Sequence, residues 1–263
     1  MSPILQTILL FFAALIAGAI NSVAGGGSFI SFPMLVATGV PEINANMTNT
    51  IALWPGSAAS VGAYRKELNA QRHVLLPFVT ISFIGGLLGA YLLDKTDKTT
   101  FNYLLPFLML FATTVFAFSG RITRWLRSRQ KANGMSTENN KTSLWSIAGT
   151  GLLQFGVATY GGFFGGGIGI MMLAVLGLLG MEDIHAMNAL KTLLATCING
   201  VAVVYFATTG KVYWPQGLLM VAGAIVGGYY GAVFAKKVNP QYVRMGVIAI
   251  GVLLTAYFFL RPH

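Results

Sequence analysis

Apolar runs of roughly 20 residues alternate with short polar joints along the whole chain, and no stretch keeps the strict two-residue alternation of a half-buried strand. The runs fall near 4–23, 46–63, 74–93, 101–119, 144–163, 184–208, 214–235 and 241–260. As helices they are each about long enough to cross ~30 Å of hydrocarbon. The pattern predicts an all-α polytopic membrane protein of about eight transmembrane helices, with no room for a soluble domain. Two further apolar stretches, 28–38 and 168–179, are too short for comfortable full spans. They are expected to be half-helices or re-entrant arms. The first run also carries "AGA" at 17–19, which resembles a cleavage site, but it lacks a basic leader and is expected to be a retained helix.

The pattern occurs twice. "GGLLGAYLLDK" at 85–95 returns as "GGYYGAVFAKK" at 227–237, and "NMTNT" at 46–50 returns as "NALKT" at 188–192, both at a shift of 142. The triple glycine of 25–27 returns at 165–167, shifted by 140. A near-constant register with one small indel is the mark of a duplicated unit. The expected organisation is therefore a first repeat over 1–119, a basic linker over 120–143 and a second repeat over 144–263, each repeat a four-helix unit with a glycine-rich helix break. With four spans per half, both repeats enter the membrane from the same side; an odd number of crossings inverts one against the other.

Composition supports the membrane reading. Hydrophobic residues make up 55% of the chain and charged residues 9%, against about 25% charged in soluble domains, and the mean hydropathy is +0.69. The net charge of +10 is a topology signal here and not a nucleic-acid footprint, because the basic residues sit between the apolar runs. Eight spans put both termini on the side of Arg65, Lys66, Arg72, Lys211, Arg261 and the linker "RITRWLRSRQKANGMSTENNK", with Lys95, Lys98, Lys236, Lys237 and Arg244 opposite. That predicts a multi-pass protein of the cytoplasmic (inner) membrane with cytoplasmic N and C termini.

Backbone at membrane depth leaves helical geometry only where protein or a watery cavity satisfies its freed groups. Gly25, Gly26 and Gly27, and again Gly165, Gly166 and Gly167, are placed to do so. Each run ends one helix and opens a short one whose first amides carry partial positive charge, a ready anion site. The glycines of "GGLLGA" and "GGYYGA" are better explained by close helix packing.

Asn46, Asn49 and Thr50 share one stripe of a helix, and Asn188, Lys191 and Thr192 repeat those spacings. Lipid rejects such stripes, so they are expected to face the protein interior or a water-filled path. Lys191 is the most informative of these residues. It sits inside an apolar run, where an ammonium costs roughly 2.5–3.5 kcal/mol on insertion scales. All seven acids fall near loops, which points to an anion as its partner and away from a cation carrier. The expected substrate site comprises these six residues and the two glycine triplets. Tyr160, Asn21, Ser22 and Ser28 flank the breaks, either lining the path or capping loose backbone.

Other chemistry finds little purchase. His73, His185 and His263 have no metal-ligand spacing, the single cysteine, Cys197, reads as a packing residue, and no catalytic set or cofactor motif is present. An intramembrane enzyme is the weaker alternative to a carrier; a passive anion channel is the stronger one, since it uses the same breaks and stripe. The expected partners are a small anion and the lipid bilayer, without nucleic acid, and a homo-oligomer is left open.

In "AINSVAGGGSFISFPML", "NANMTNTIALWPGSAAS" and the weaker copy "GGFFGGGIGIMMLAVLGLLGMEDIHAMNALKTLLATCING", the chain resembles the sulfite exporter TauE/SafE family of membrane transporters over nearly its whole length. The resemblance implies a duplicated four-helix unit moving sulfite, sulfonates or other small organic anions, in some members with proton coupling. It maps the family's glycine runs and polar helices onto the residues named above. With Lys191 standing where the first half has Asn49, any site between the halves is expected to be asymmetric in charge.

Overall fold

The computed structural model describes residues 2–23, 26–61, 68, 72–132, 144–179, 181, 183–234 and 240–260. All regular structure among them is helical: α1 Pro3–Val23, α2 Ser28–Ala37, α3 Glu42–Val61, α4 Arg72–Lys95, α5 Lys98–Ala132, α6 Leu144–Phe163, α7 Ile168–Leu178, α8 Ile184–Thr208, α9 Trp214–Phe234 and α10 Pro240–Leu260. Segments in α1, α4, α5, α8 and α10 are long and apolar enough to cross a membrane. The other three expected spans coincide with α3, α6 and α9, which are also helices of spanning length but carry the asparagine stripe or glycine-rich packing faces. Large apolar side chains such as Phe83, Leu152, Leu218 and Leu253 lie on outer faces, while Asn46, Thr48 and Asn49 are buried. That is the polarity of a bundle solvated by lipid.

The two short stretches are helices of ten and eleven residues, about 15 Å long at 1.5 Å per residue and so roughly half of the hydrocarbon thickness. Glycine makes the breaks before them possible. Gly26 has φ +88°, Gly165 +82° and Gly167 +78°, a region that L-residues with a side chain rarely enter.

Close helix contacts fix the directions of the bundle. Successive glycines of α9 meet successive turns of α1: Gly223 faces Phe11, Gly227 faces Leu15 and Gly231 faces Ala19, so the two helices run parallel. A Cβ at Gly227 would run into the Leu15 carbonyl oxygen. On the other flank Gly85 faces Phe155 and Ala158, and Gly89 faces Thr159 and Phe163, so α4 and α6 are parallel too. Here, as expected, the "GGLLGA" and "GGYYGA" glycines let backbones touch. Between the flanks α3 crosses α8 antiparallel: the Asn44 amide donates to the Lys211 carbonyl at 2.6 Å, and the Trp54 indole N–H donates to the Thr196 carbonyl at 3.0 Å. Likewise α5 and α10 are antiparallel, with Arg244 Nη2 donating to the Ala117 carbonyl at 2.9 Å and Phe107 packing edge-on against Phe259.

These directions correct the expected topology. The helices that follow the two glycine runs point opposite ways, so the halves do not enter from the same side. The start of α1 and the end of α10 lie at the bundle end where α4 meets α5, whereas the end of α5 and the start of α6, which flank the linker, lie at the other end. A cytoplasmic linker and cytoplasmic termini therefore cannot both hold. Lys211 also changes sides: its Nζ lies 2.8 Å from Asp94 Oδ1, next to Lys95 and not across the membrane from it. Hydropathy counts a ten-residue helix as no crossing, yet each of α2 and α7 carries the chain back through the bundle and reverses the count.

Candidate functional site between the two glycine breaks

The two breaks are built differently. At the first, the Asn21 side-chain oxygen accepts from the Gly27 amide at 2.8 Å, which occupies part of the α2 amino terminus. At the second, glycine stands at 161, the position that matches Asn21 at the shift of 140, and among the described residues no side chain caps the first amides of α7. The Ile170 amide donates to the Gly167 carbonyl at 3.1 Å, which leaves the amides before it to carry the partial positive charge of the helix start.

Lys191 reaches this second start. Its side chain lies across Gly169 in the first turn of α7, where an added Cβ would come 3.3 Å from Lys191 Cδ. Its Nζ donates to Asn188 Oδ1 at 3.1 Å, and among the described residues no carboxylate pairs with it. The absence of a side chain at Gly169 is what lets the lysine stem lie against the first turn of α7, with its ammonium on Asn188.

The first polar stripe serves a different end. The Asn46 amide donates to the Phe163 carbonyl at 2.8 Å, satisfying a group freed where α6 stops. Ser31 of α2 donates to the Asn49 side-chain oxygen. Thr50 donates to the Asn46 carbonyl at 3.0 Å and Thr192 to the Asn188 carbonyl at 2.8 Å, so each hydroxyl hydrogen is committed to its own helix.

A small, half-open pocket is lined by Ser28, Phe29, Phe32, Asn46, Met109, Phe164 and Gly166. Of the expected site residues it brings together Asn46 and Gly166. Gly26, Gly27, Gly165 and Gly167 form the two turns; Asn49 and Thr50 continue the Asn46 helix; Asn188, Lys191 and Thr192 lie on α8. Gly25 falls outside the described residues. The aromatic lining was missed from sequence, although Ser28, Phe29 and Phe32 do share a face of α2 at i, i+1 and i+4. Met109 carries no local signal. Among the described residues the buried Tyr160 hydroxyl has no hydrogen-bond partner, and its ring packs edge-on against Phe111 and Phe164.

Lipid-facing helices around an internal polar seam, with two broken helices meeting at a pocket, define a membrane transporter. The family model for the sulfite exporter TauE/SafE matches residues 10–258, and the chain belongs to that family. It is 30% identical over 250 residues to a probable membrane transporter protein of Haemophilus influenzae, covering 94% of this chain and 92% of the relative. It is 27% identical over 264 residues to the probable membrane transporter protein YfcA of Escherichia coli, covering 100% and 92%. A probable membrane transporter protein, ORF9, of a Sinorhizobium species is 27% identical over 254 residues, covering 96% and 92%. No solved structure is significantly similar.

Proposed function

We propose that this protein is a secondary transporter that carries small anions (sulfite, sulfonates or related organic anions) across the cytoplasmic membrane by alternating access. The observation that carries this reading is Lys191, a cation without a carboxylate partner among the described residues, laid across Gly169 at the uncapped start of α7. An oxyanion seated there accepts from backbone amides and is balanced by the ammonium, the pairing that charge-assisted hydrogen bonds favour. Asn188, Gly165, Gly166 and Gly167 complete this half of the site, and Gly25, Gly26, Gly27, Asn46, Asn49, Thr50 and Thr192 form its surroundings. The relatives' names favour transport over an enzyme.

The scaffold is read as two repeats, 1–119 and 144–263, inverted about an axis in the membrane plane and joined by 120–143. The helix contacts support this, because they exchange under the shift: α1 packs on α9 as α6 packs on α4, α3 on α9 as α8 on α4, and α2 on α10 as α7 on α5. Inverted repeats with a broken helix in each are the build of rocking-bundle carriers. With these directions the end of α9 and the start of α10, between which Lys236 and Lys237 fall in sequence, lie at the linker end, and Lys211 leaves it. The positive bias of that end grows, so the linker is cytoplasmic and the termini lie across the membrane.

The test is uptake of labelled sulfite and sulfoacetate into proteoliposomes, with wild type compared with Lys191→Met and with a pH gradient imposed to detect proton coupling. Saturable flux that shows counterflow, with affinity lost in the variant, is the expected result. Unchanged affinity in folded Lys191→Met removes the lysine from the site, and non-saturating flux without counterflow replaces the carrier by a channel.

A further inference from the structure

Outside the pocket, a polar cluster lies at the bundle end where α1 starts and α10 ends. Asp94, at the end of α4, takes Lys211 Nζ on Oδ1 at 2.8 Å and the Tyr205 hydroxyl on Oδ2 at 3.1 Å. Lys211 Nζ also donates to the Asp94 carbonyl at 2.7 Å, and the Lys211 carbonyl accepts from Asn44 at 2.6 Å. Beside them the Tyr213 amide donates to Thr48 Oγ1 at 3.1 Å. Every one of these contacts joins the first half of the chain, through α3 or α4, to the second half, through α8 or the turn before α9. None is needed to hold a helix to its own neighbour in sequence.

The cluster also sits over the pocket. Asn44, which holds the Lys211 carbonyl, and Asn46, which lines the pocket, belong to the first turn and a half of the same helix. The contact that holds the α8–α9 turn to α3 therefore lies within one turn of helix of the pocket lining.

We propose that Asp94 and Lys211 form the latch that keeps the transporter closed on the face of its termini, and that the pair separates when the α8–α9 turn moves away from the end of α4. The pair has the chemistry of a reversible contact. The Asp94 side chain is only 11% exposed, so its pairing is not a screened surface contact, while Lys211 is 43% exposed and water can receive its ammonium when it leaves. Asp94 does not then stand alone, because Lys95 Nζ lies 3.9 Å from Oδ2. Lys211 rides on the turn beyond Gly210, whose φ is +70°, and is not fixed within a helix. A contact of this kind biases a two-state equilibrium without locking it.

The inference rests on the alternating-access reading, but its test needs no substrate. In a Cys197→Ser background, Ser28→Cys places a reporter thiol on the pocket, and a membrane-impermeant maleimide is applied to oriented vesicles from the side of the termini. Asp94→Asn and Lys211→Gln, near-isosteric neutral variants, are each expected to raise the labelling rate by about three- to sevenfold, as a shift of one to two RT in a two-state balance gives. The double variant Asp94→Lys with Lys211→Asp is expected to bring the rate back toward that of the parent. Unchanged labelling in both monodisperse single variants overturns the latch. So does an increase that the swap leaves in place, since that marks general loosening. Sulfite flux that survives Lys191→Met sinks the anion site and leaves the labelling result untouched.

Discussion

The side-chain amide of Asn46 donates to the main-chain carbonyl of Phe163 over 2.8 Å, so the carbonyl that α6 leaves open at the second glycine break is satisfied by a helix from the first half of the chain. A buried acceptor stripped of its partner costs about 1–3 kcal/mol. Asn46→Ala is therefore expected to lower the melting temperature of the detergent-solubilised protein, and Asn46→Asp, which keeps the size but loses the donor, to do so too. A melting temperature equal to wild type in both variants means that water replaces the bond and that the break does not depend on α3.

Gly169 tests how the lysine is held. A methyl group there meets Lys191 Cδ at 3.3 Å, and a branched side chain displaces the stem outright. Gly169→Val is expected to weaken anion uptake about tenfold or more, the equivalent of ~1.4 kcal/mol, with less effect on the melting temperature. Affinity equal to wild type shows that the ammonium does not need its place beside α7.

Packing glycines and spare glycines make different predictions. A Cβ at Gly89 collides with the Thr159 carbonyl oxygen and comes 2.7 Å from the Phe163 amide nitrogen, whereas among the described residues nothing lies within 4 Å of one at Gly149. Gly89→Ala must push α4 from α6 and is expected to cost about 1–3 kcal/mol, the usual range for overpacking. Gly149→Ala is expected to be neutral or stabilising by up to ~1 kcal/mol through helix propensity. Equal thermal stability of the two variants contradicts the parallel α4–α6 contact.

Orientation is open to the same labelling chemistry as the latch. With Cys197 replaced, Ser2→Cys near the N-terminus and Ser136→Cys in the linker are expected to react from opposite faces of the membrane, the linker thiol from the cytoplasmic one. Labelling of both from one face restores the even count of crossings and removes the inverted arrangement.

The sequence by itself determined where the helices are, where two of them stop, and that the asparagine stripe of α3 turns inward. These are local matters. Twenty apolar residues span hydrocarbon whatever lies beside them, a glycine triplet releases the backbone at its own position, and a buried Asn46 or Asn49 follows from what lipid will not solvate. Only the tertiary structure decided the directions of the halves, because a ten-residue helix such as α2 reads alike in hydropathy whether it turns back or carries the chain through. It alone paired Asp94 with Lys211, 117 positions apart in sequence, and gave Asn46 a backbone carbonyl as its partner. It also set Lys191 on Gly169. A residue pattern records which face of a helix must be covered, while the identity of the covering group depends on helices that meet only when the bundle closes.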